Sequence, residues 1–264
     1  MNRIDKLFGN KRKDILSIYF TAGYPHLDST TRIIRELAAA GVDMIEIGIP
    51  FSDPMADGPV IQQSNSVALK NGMNLKLLFR QLRSIRNHVD IPLVLMSYCN
   101  PVLSYGIQKF CSSCNSAGID GVIIPDLPPE IYTENFKSFF AFHNLVNIML
   151  IAPQSDPDRI REIDELSKGF IYMVSSSSIT GVKKGFLKEQ TDYFSKVKKM
   201  KLKNPSLIGF GISDPDSFKH TCNFANGAIV GSAFVKILGQ EGENAGTIRN
   251  FINYLRNINN RQES

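Results

Sequence analysis

The sequence predicts a single (β/α)8 barrel, the TIM-barrel class of α/β fold, with a short extra helix at its N-terminus. Three observations carry this expectation. Eight short apolar runs alternate with longer segments of helical period. The runs are continuously apolar instead of alternating, as in strands buried on both faces of a parallel sheet. The chain has 264 residues, close to the roughly 250 that eight βα units occupy. No Gly- or Ser-rich linker interrupts it, so residues 1–264 are assigned to one domain. An open doubly wound sheet is the rival, but no G-x-G-x-x-G follows the first run and "TAGYP" is a poor phosphate loop.

The elements follow in order. A short amphipathic segment, "RIDKLF", precedes the first strand. Strands are expected over 15–23, 42–50, 91–101, 119–126, 146–153, 169–177, 206–213 and 226–233. Between them lies "DSTTRIIRELAAAG", with Asp28 as N-cap and Gly41 as C-cap. Further helices are read in "NLKLLFRQLRSIRNH", "PPEIYTENFKSFFAFH", "DPDRIREIDELSK" and "DPDSFKHTCNFAN". A last one, "ENAGTIRNFINYLRNINN", follows the eighth strand.

Composition excludes several functions. The net charge is a small +5, and basic residues cluster in local runs such as Lys11-Arg12-Lys13 and Lys196 to Lys203, without interleaved aromatics. These read as solvated helix faces and not as a nucleic-acid surface. No apolar stretch approaches the roughly 20 residues of a membrane span, and the N-terminus lacks a signal peptide's apolar centre. A soluble cytoplasmic protein is expected. Cys111 and Cys114 form a CxxC in a helix-like segment, where the spacing places both thiols on one face. No second CxxC or histidine pair completes a metal set, so no metal site is expected.

Candidate chemistry gathers at the C-terminal ends of strands, where barrel enzymes hold their reactive groups. In "MIEIGIP" the pleat turns Ile45, Ile47 and Ile49 to one side and Met44, Glu46 and Gly48 to the other. Branched apolar side chains belong against the helices, so Glu46 points into the barrel and Gly48 leaves room beside it. Desolvation there raises a carboxyl pKa toward working pH, as a general acid/base requires. The alternative is a structural glutamate paired with a buried cation, but no strand carries one. Next, Pro50, Pro54 and Pro59 stiffen a loop that carries Asp53 and Asp57. Asp57 reads either as a group facing ligand or as an ordinary N-cap of the next helix. The segments "SSSSITGVKKG", "GFGIS" and "GSAF" end strands six to eight with small residues. Exposed backbone N–H groups there suit a phosphate. Tyr19, Tyr98, Tyr172 and Phe210 fall near strand ends and could line an aromatic slot.

These residues resemble the α chain of tryptophan synthase. "IEIGIPFSDPMADGPVIQ" (45–62) is similar to that family's signature almost residue for residue. "YFTAGYP", "MSYCNP", "PDLPPEI", "SITGV", "GFGIS" and "GSAFVK" match in order and spacing, so the resemblance spans essentially the whole chain. It implies a carbon–carbon lyase that cleaves indole-3-glycerol phosphate to indole and glyceraldehyde 3-phosphate in tryptophan biosynthesis. It makes Glu46 the catalytic acid/base and Asp57 the partner of the indole N–H, with Tyr172 beside both. Backbone around Thr180, Gly181, Gly211, Gly231 and Ser232 takes the phosphate, and Tyr19, Tyr98 and Phe210 flank the indole. The resemblance also implies a β-chain partner in an α2β2 complex, faced by Asp53 and Pro54. The chain itself needs no cofactor, and pyridoxal phosphate belongs to the β chain. One departure is the serine run at 175–178, where the family often carries an arginine and a glycine. Another phosphate-binding barrel, such as an indole-forming or ribulose-phosphate enzyme, is the enzyme alternative, and the metal histidines expected of a ribulose-phosphate epimerase are not seen at the strand ends. A weakly active subunit that mainly activates the β chain is the other alternative.

Overall fold

The structure, a computed structural model, describes residues 1–55, 57–175 and 187–258. The first half runs α1 (Arg3–Asn10), β1 (Ile15–Thr21), α2 (Ser29–Ala39), β2 (Met44–Gly48), α3 (Pro59–Lys70) and α4 (Leu75–Leu82). It continues with β3 (Leu93–Met96), α5 (Cys99–Tyr105), α6 (Ile107–Ser116), β4 (Gly121–Ile123), α7 (Pro129–Ile131) and α8 (Lys137–Phe142). Next come β5 (Val146–Ile148), β6 (Leu150–Ile151), α9 (Pro157–Leu166), β7 (Ile171–Val174) and α10 (Lys188–Lys199). The chain ends with β8 (Ser206–Gly209), α11 (Pro215–Cys222), β9 (Gly227–Val230), α12 (Ser232–Glu241) and α13 (Ala245–Leu255).

All strand pairs are parallel, in the order β5-β4-β3-β2-β1-β9-β8-β7-β6. The strand expected over 146–153 is split at Met149. Its first part pairs with β4 and its second with β7, so one interrupted strand joins the two ends of the sheet. Tyr172 N donates to Met149 O at 3.0 Å across the break. The ring is thus the expected eight-stranded barrel. The other ladders are shorter than the apolar runs because burial outlasts hydrogen bonding: Ile49, Tyr98 and Ile124 are buried beyond the ends of their strands.

Two apolar layers follow from the pleat. Ile15, Tyr19, Met44, Val94, Ile123, Ile148, Tyr172, Leu207 and Ile229 fill the barrel interior. Leu16, Ile18, Phe20, Ile45, Ile47 and their counterparts face the helices. The expected N-terminal helix is α1, which closes the bottom of the barrel. Its Ile4 is fully buried in the interior layer. Methyl groups of Ile4 lie where a Cβ at Gly121 or Gly169 would meet them, at 2.9 and 2.8 Å. Asn2 Nδ2 donates to the carbonyls of Asp120 (2.9 Å) and Asn144 (3.1 Å), while Arg3 pairs with Asp90 and Asp120.

Three expectations need correction. Asp28 holds the N-cap position of α2 as expected, but its own backbone is already helical (φ −95°, ψ 0°) and its carboxylate makes no capping bond. Ser29, the first residue of α2, accepts instead from His26 N in the turn before the helix, at 3.3 Å. Gly41 lies one residue beyond the Ala40 cap, with φ +82°. The helix expected over "PPEIYTENFKSFFAFH" is broken by a π-helical turn at Tyr132–Phe136, which buries both end residues of that turn. Cys111 and Cys114 lie on α6 as expected, fully buried with free thiols. Burial pushes the Cys111 thiol up to about 12, which leaves it inert.

Candidate active site

β2 carries Glu46 into the barrel, fully buried, beside inward-facing Met44. Ser17, two residues before Tyr19 on the same face of β1, donates its hydroxyl to Glu46 Oε1 at 3.0 Å. Oε2 has no hydrogen-bond partner among the described residues, and no described cation pairs with the carboxylate. Burial pushes the carboxyl up to about 8, against a smaller opposing effect of the Ser17 bond. A structural ion pair is therefore not its role among these residues. The group is a neutral acid near pH 7 with one oxygen open to the interior.

The space beside Gly48 is not empty. A Cβ there would collide with the Tyr19 ring. Tyr19 and Glu46 are register partners on β1 and β2, and Tyr19 Oη lies 3.5 Å from Thr21 Oγ1. The glycine thus admits the tyrosine beside the carboxylate.

Asp57 is not the N-cap of α3; Gly58 is. Its own N–H donates to Pro54 O at 3.0 Å, and Gln62 Nε2 donates to its carbonyl at 2.9 Å. Its Oδ2 accepts from Tyr98 Oη at 3.3 Å and from Asn65 Nδ2 at 3.4 Å. Burial pushes this carboxyl up to about 6, while the Tyr98 and Asn65 bonds pull the other way. Two carboxyls of one mouth are thereby held apart in acidity, a pattern that separates acid from anion. Tyr172 is buried as well, and its hydroxyl is kept protonated by burial first, then by the charges of Glu46, Asp57 and Tyr19. Its edge faces the Phe210 ring, centroids 6.2 Å apart. A Cβ at Gly209 would strike the Tyr172 ring.

Phe210 has φ +71°, a left-handed backbone that costs a non-glycine residue roughly 1–2 kcal/mol. Gly211 follows with φ +75°. Ser175 Oγ donates to Phe210 O at 2.8 Å and fixes this turn. Gly211 and Ser232 are exposed at the ends of β8 and β9, and Gly231 is the N-cap of α12 with no side-chain cap bond. A Cβ at Gly231 would lie 3.4 Å from Tyr19 Cδ1, which places the backbone of α12's start against the same aromatic wall. Asp53 and Pro54 lie further out, Asp53 exposed and bonded by the Ser52 hydroxyl. Thr180 and Gly181 lie outside the described residues.

The arrangement brings together Glu46, Asp57, Tyr19, Tyr98, Tyr172 and Phe210. Sequence reasoning missed Ser17 and Asn65, which touch the two carboxylates. Ser17 was detectable as a polar residue at an inward position of an apolar strand. Asn65 carried no signal, since it reaches Asp57 through helix geometry alone. Among the described residues no cluster of three His, Cys, Asp or Glu could hold a metal, and no helix is long and apolar enough to cross a membrane.

Comparison with known proteins agrees with this fold. A protein-family model described as tryptophan synthase alpha chain matches residues 6–262. The tryptophan synthase alpha chain of Flavobacterium psychrophilum is 55% identical over 242 residues, covering 92% of this chain and 95% of that protein. The tryptophan synthase subunit alpha of Legionella pneumophila superposes with TM-score 0.87 at 32% identity, covering 97% of this chain and 98% of that one. A chain of the tryptophan synthase complex of Pyrococcus furiosus does so with TM-score 0.85 at 34% identity, covering 93% and 99%. A family match over nearly the full length, on a barrel shared with these solved structures, leaves one conclusion: the chain belongs to the tryptophan synthase alpha chain family.

Proposed function

We propose that the barrel mouth cleaves indole-3-glycerol phosphate to indole and glyceraldehyde 3-phosphate, a retro-aldol scission. Family membership makes the chain a lyase of tryptophan biosynthesis. The observation that carries the detailed reading is Glu46, buried, unpaired by any described cation, and pushed up to about 8. As the neutral acid it protonates the indole ring carbon that bears the glycerol side chain. The resulting indolenine-like cation places positive charge on the ring nitrogen, and ionised Asp57 stabilises it there. The Glu46 carboxylate then takes the proton from the adjacent side-chain hydroxyl. The electrons of that O–H bond form the aldehyde, the carbon–carbon bond breaks, and its electrons restore the indole. Glu46 ends protonated, as it began.

Tyr19, Tyr98 and Phe210 flank the indole in this reading, and Tyr172 packs beside both carboxylates. Backbone at Gly211, Gly231 and Ser232 holds the phosphate, with Thr180 and Gly181 assigned to the same site. The partner is a β chain, in an α2β2 complex that meets this chain at Asp53 and Pro54 and holds pyridoxal phosphate in the β chain. All this belongs to one domain working in the cytoplasm. The test is indole release from indole-3-glycerol phosphate by wild type and Glu46→Gln, with and without a β chain. Turnover lost in the variant, with glycerol 3-phosphate still bound, supports the assignment. Wild-type turnover in the variant overturns it. Wild type inactive in both conditions would leave a subunit that only activates its partner.

A further inference from the structure

A second feature lies outside the barrel wall. Between residues 58 and 119 the sequence holds six Lys and Arg against a single acid, Asp90, so this stretch alone carries the chain's net +5. Asp90 is taken by Arg3, and Arg86 is taken by Asp120. Lys76, Arg80 and Arg83 are exposed and enter no ion pair among the described residues. Positions 76, 80 and 83 share one face of the helical segment. They line a cavity of about 580 Å³ between α4 and α6, whose other wall carries Ser112 and Ser116. Half-buried Phe79 also lines it, backed by Phe110 and Tyr105 at ring distances of 5.9 and 5.7 Å. Helix stability does not explain the charges. Lys76 sits in the first turn of α4, where the dipole disfavours a cation, and no acid offsets it there.

We propose that this groove binds a chain of phosphates, carried either by a nucleotide or by inorganic polyphosphate. A single phosphate would meet one or two of these cations. Lys76 to Arg83 spans roughly 10 Å of helix axis, so an extended polyanion meets all three. Serine hydroxyls opposite donate to the same oxygens, and the Phe79 ring offers a nucleobase a stacking face.

The test is calorimetric titration of the full chain at low salt with tripolyphosphate and, separately, with ATP. Excess glycerol 3-phosphate keeps the barrel mouth occupied throughout. The groove variant Lys76→Ala/Arg80→Ala/Arg83→Ala is compared with a control of equal charge, Lys196→Ala/Lys199→Ala/Lys219→Ala. Tripolyphosphate should bind wild type and control alike, and bind the groove variant about tenfold or more weakly. Tighter binding of ATP than of tripolyphosphate, lost in Phe79→Ala, assigns the site to nucleotides. Equal binding assigns it to inorganic polyphosphate. Unchanged turnover of indole-3-glycerol phosphate shows the groove variant to be folded. No binding to wild type at millimolar probe, or equal losses in groove variant and control, overturns the proposal.

Discussion

The hydroxyl of Tyr98 donates to Oδ2 of Asp57 at 3.3 Å, tying the residue just past β3 to the loop that follows β2. A bond to the charged form holds a carboxyl's pKa down. Asp57, lifted to about 6 by burial, would rise further without it. Tyr98→Phe should therefore lower the ionised fraction of Asp57 around neutral pH. The expected outcome is an acid limb of kcat/KM displaced upward, with a larger loss near pH 6 than on the alkaline side. An unshifted limb would remove Asp57 from the reaction. Asp57→Asn should abolish that limb and cut kcat more than it weakens glycerol 3-phosphate binding.

Glu46→Gln keeps the shape of the side chain and removes its proton chemistry. Loss of a general acid/base costs roughly 10²–10⁴-fold in rate. Here one group serves both proton transfers, so the loss should lie at the upper end of that range. Steady-state indole release measures it, and a loss below the lower bound would transfer the role to another group.

The same substitution has an opposite effect on stability, and its sign follows from proton counting. The unfolded chain loses the Glu46 proton near the ordinary glutamate value of 4.5, while the folded chain keeps it to about 8. Between these values the folded state binds more protons, so stability falls by up to about 1.4 kcal/mol per pH unit as pH rises. Glu46→Gln removes this loss. Its Tm should match or trail wild type near pH 5 and exceed it above about pH 8, read by thermal unfolding at both values.

Gly48→Ala drives a Cβ into the hydroxyl end of the Tyr19 side chain. Overpacking of this kind costs about 1–3 kcal/mol, and the displaced ring moves away from Glu46. A denaturant midpoint and turnover should fall together.

At the opposite end, Ile4→Ala should separate the two. It leaves a cavity under the barrel floor and should cost roughly 2–5 kcal/mol. Turnover at temperatures where the variant is folded should be unchanged, because Ile4 packs at the strand starts at Gly121 and beneath Gly169, at the end away from the mouth.

Much of this was legible before the fold was in hand. Period-two alternation around Glu46 settles which way it points, because Ile45 and Ile47 can only face the helix layer. The barrel count survived even the break at Met149, since hydrophobic runs ignore small interruptions in hydrogen bonding. What was not legible depends on distances through space. Asn65 is eight positions from Asp57 and reaches it only because α3 folds back over the loop. The room at Gly48 looked vacant because a strand's sequence does not reveal which neighbour's ring leans across it. Asp28 does sit at the N-cap that composition suggested, but whether its carboxylate caps is decided by backbone angles that composition does not fix. Asp57 stayed balanced between two readings until Gly58 proved to hold the capping position.

The N-terminal helix has a consequence for how the chain comes off the ribosome. Asn2 anchors to carbonyls 118 and 142 residues away, and Ile4 packs beneath Gly169. Residues 1–10 therefore have no complete docking site until the chain as far as Gly169 has emerged, at roughly 5–20 residues per second. Their burial is a closing step of assembly although they precede every strand in the chain. Pulse-labelled hydrogen exchange during refolding should find the amides of α1 protected after those of β1 to β4, and early protection there would reverse the order.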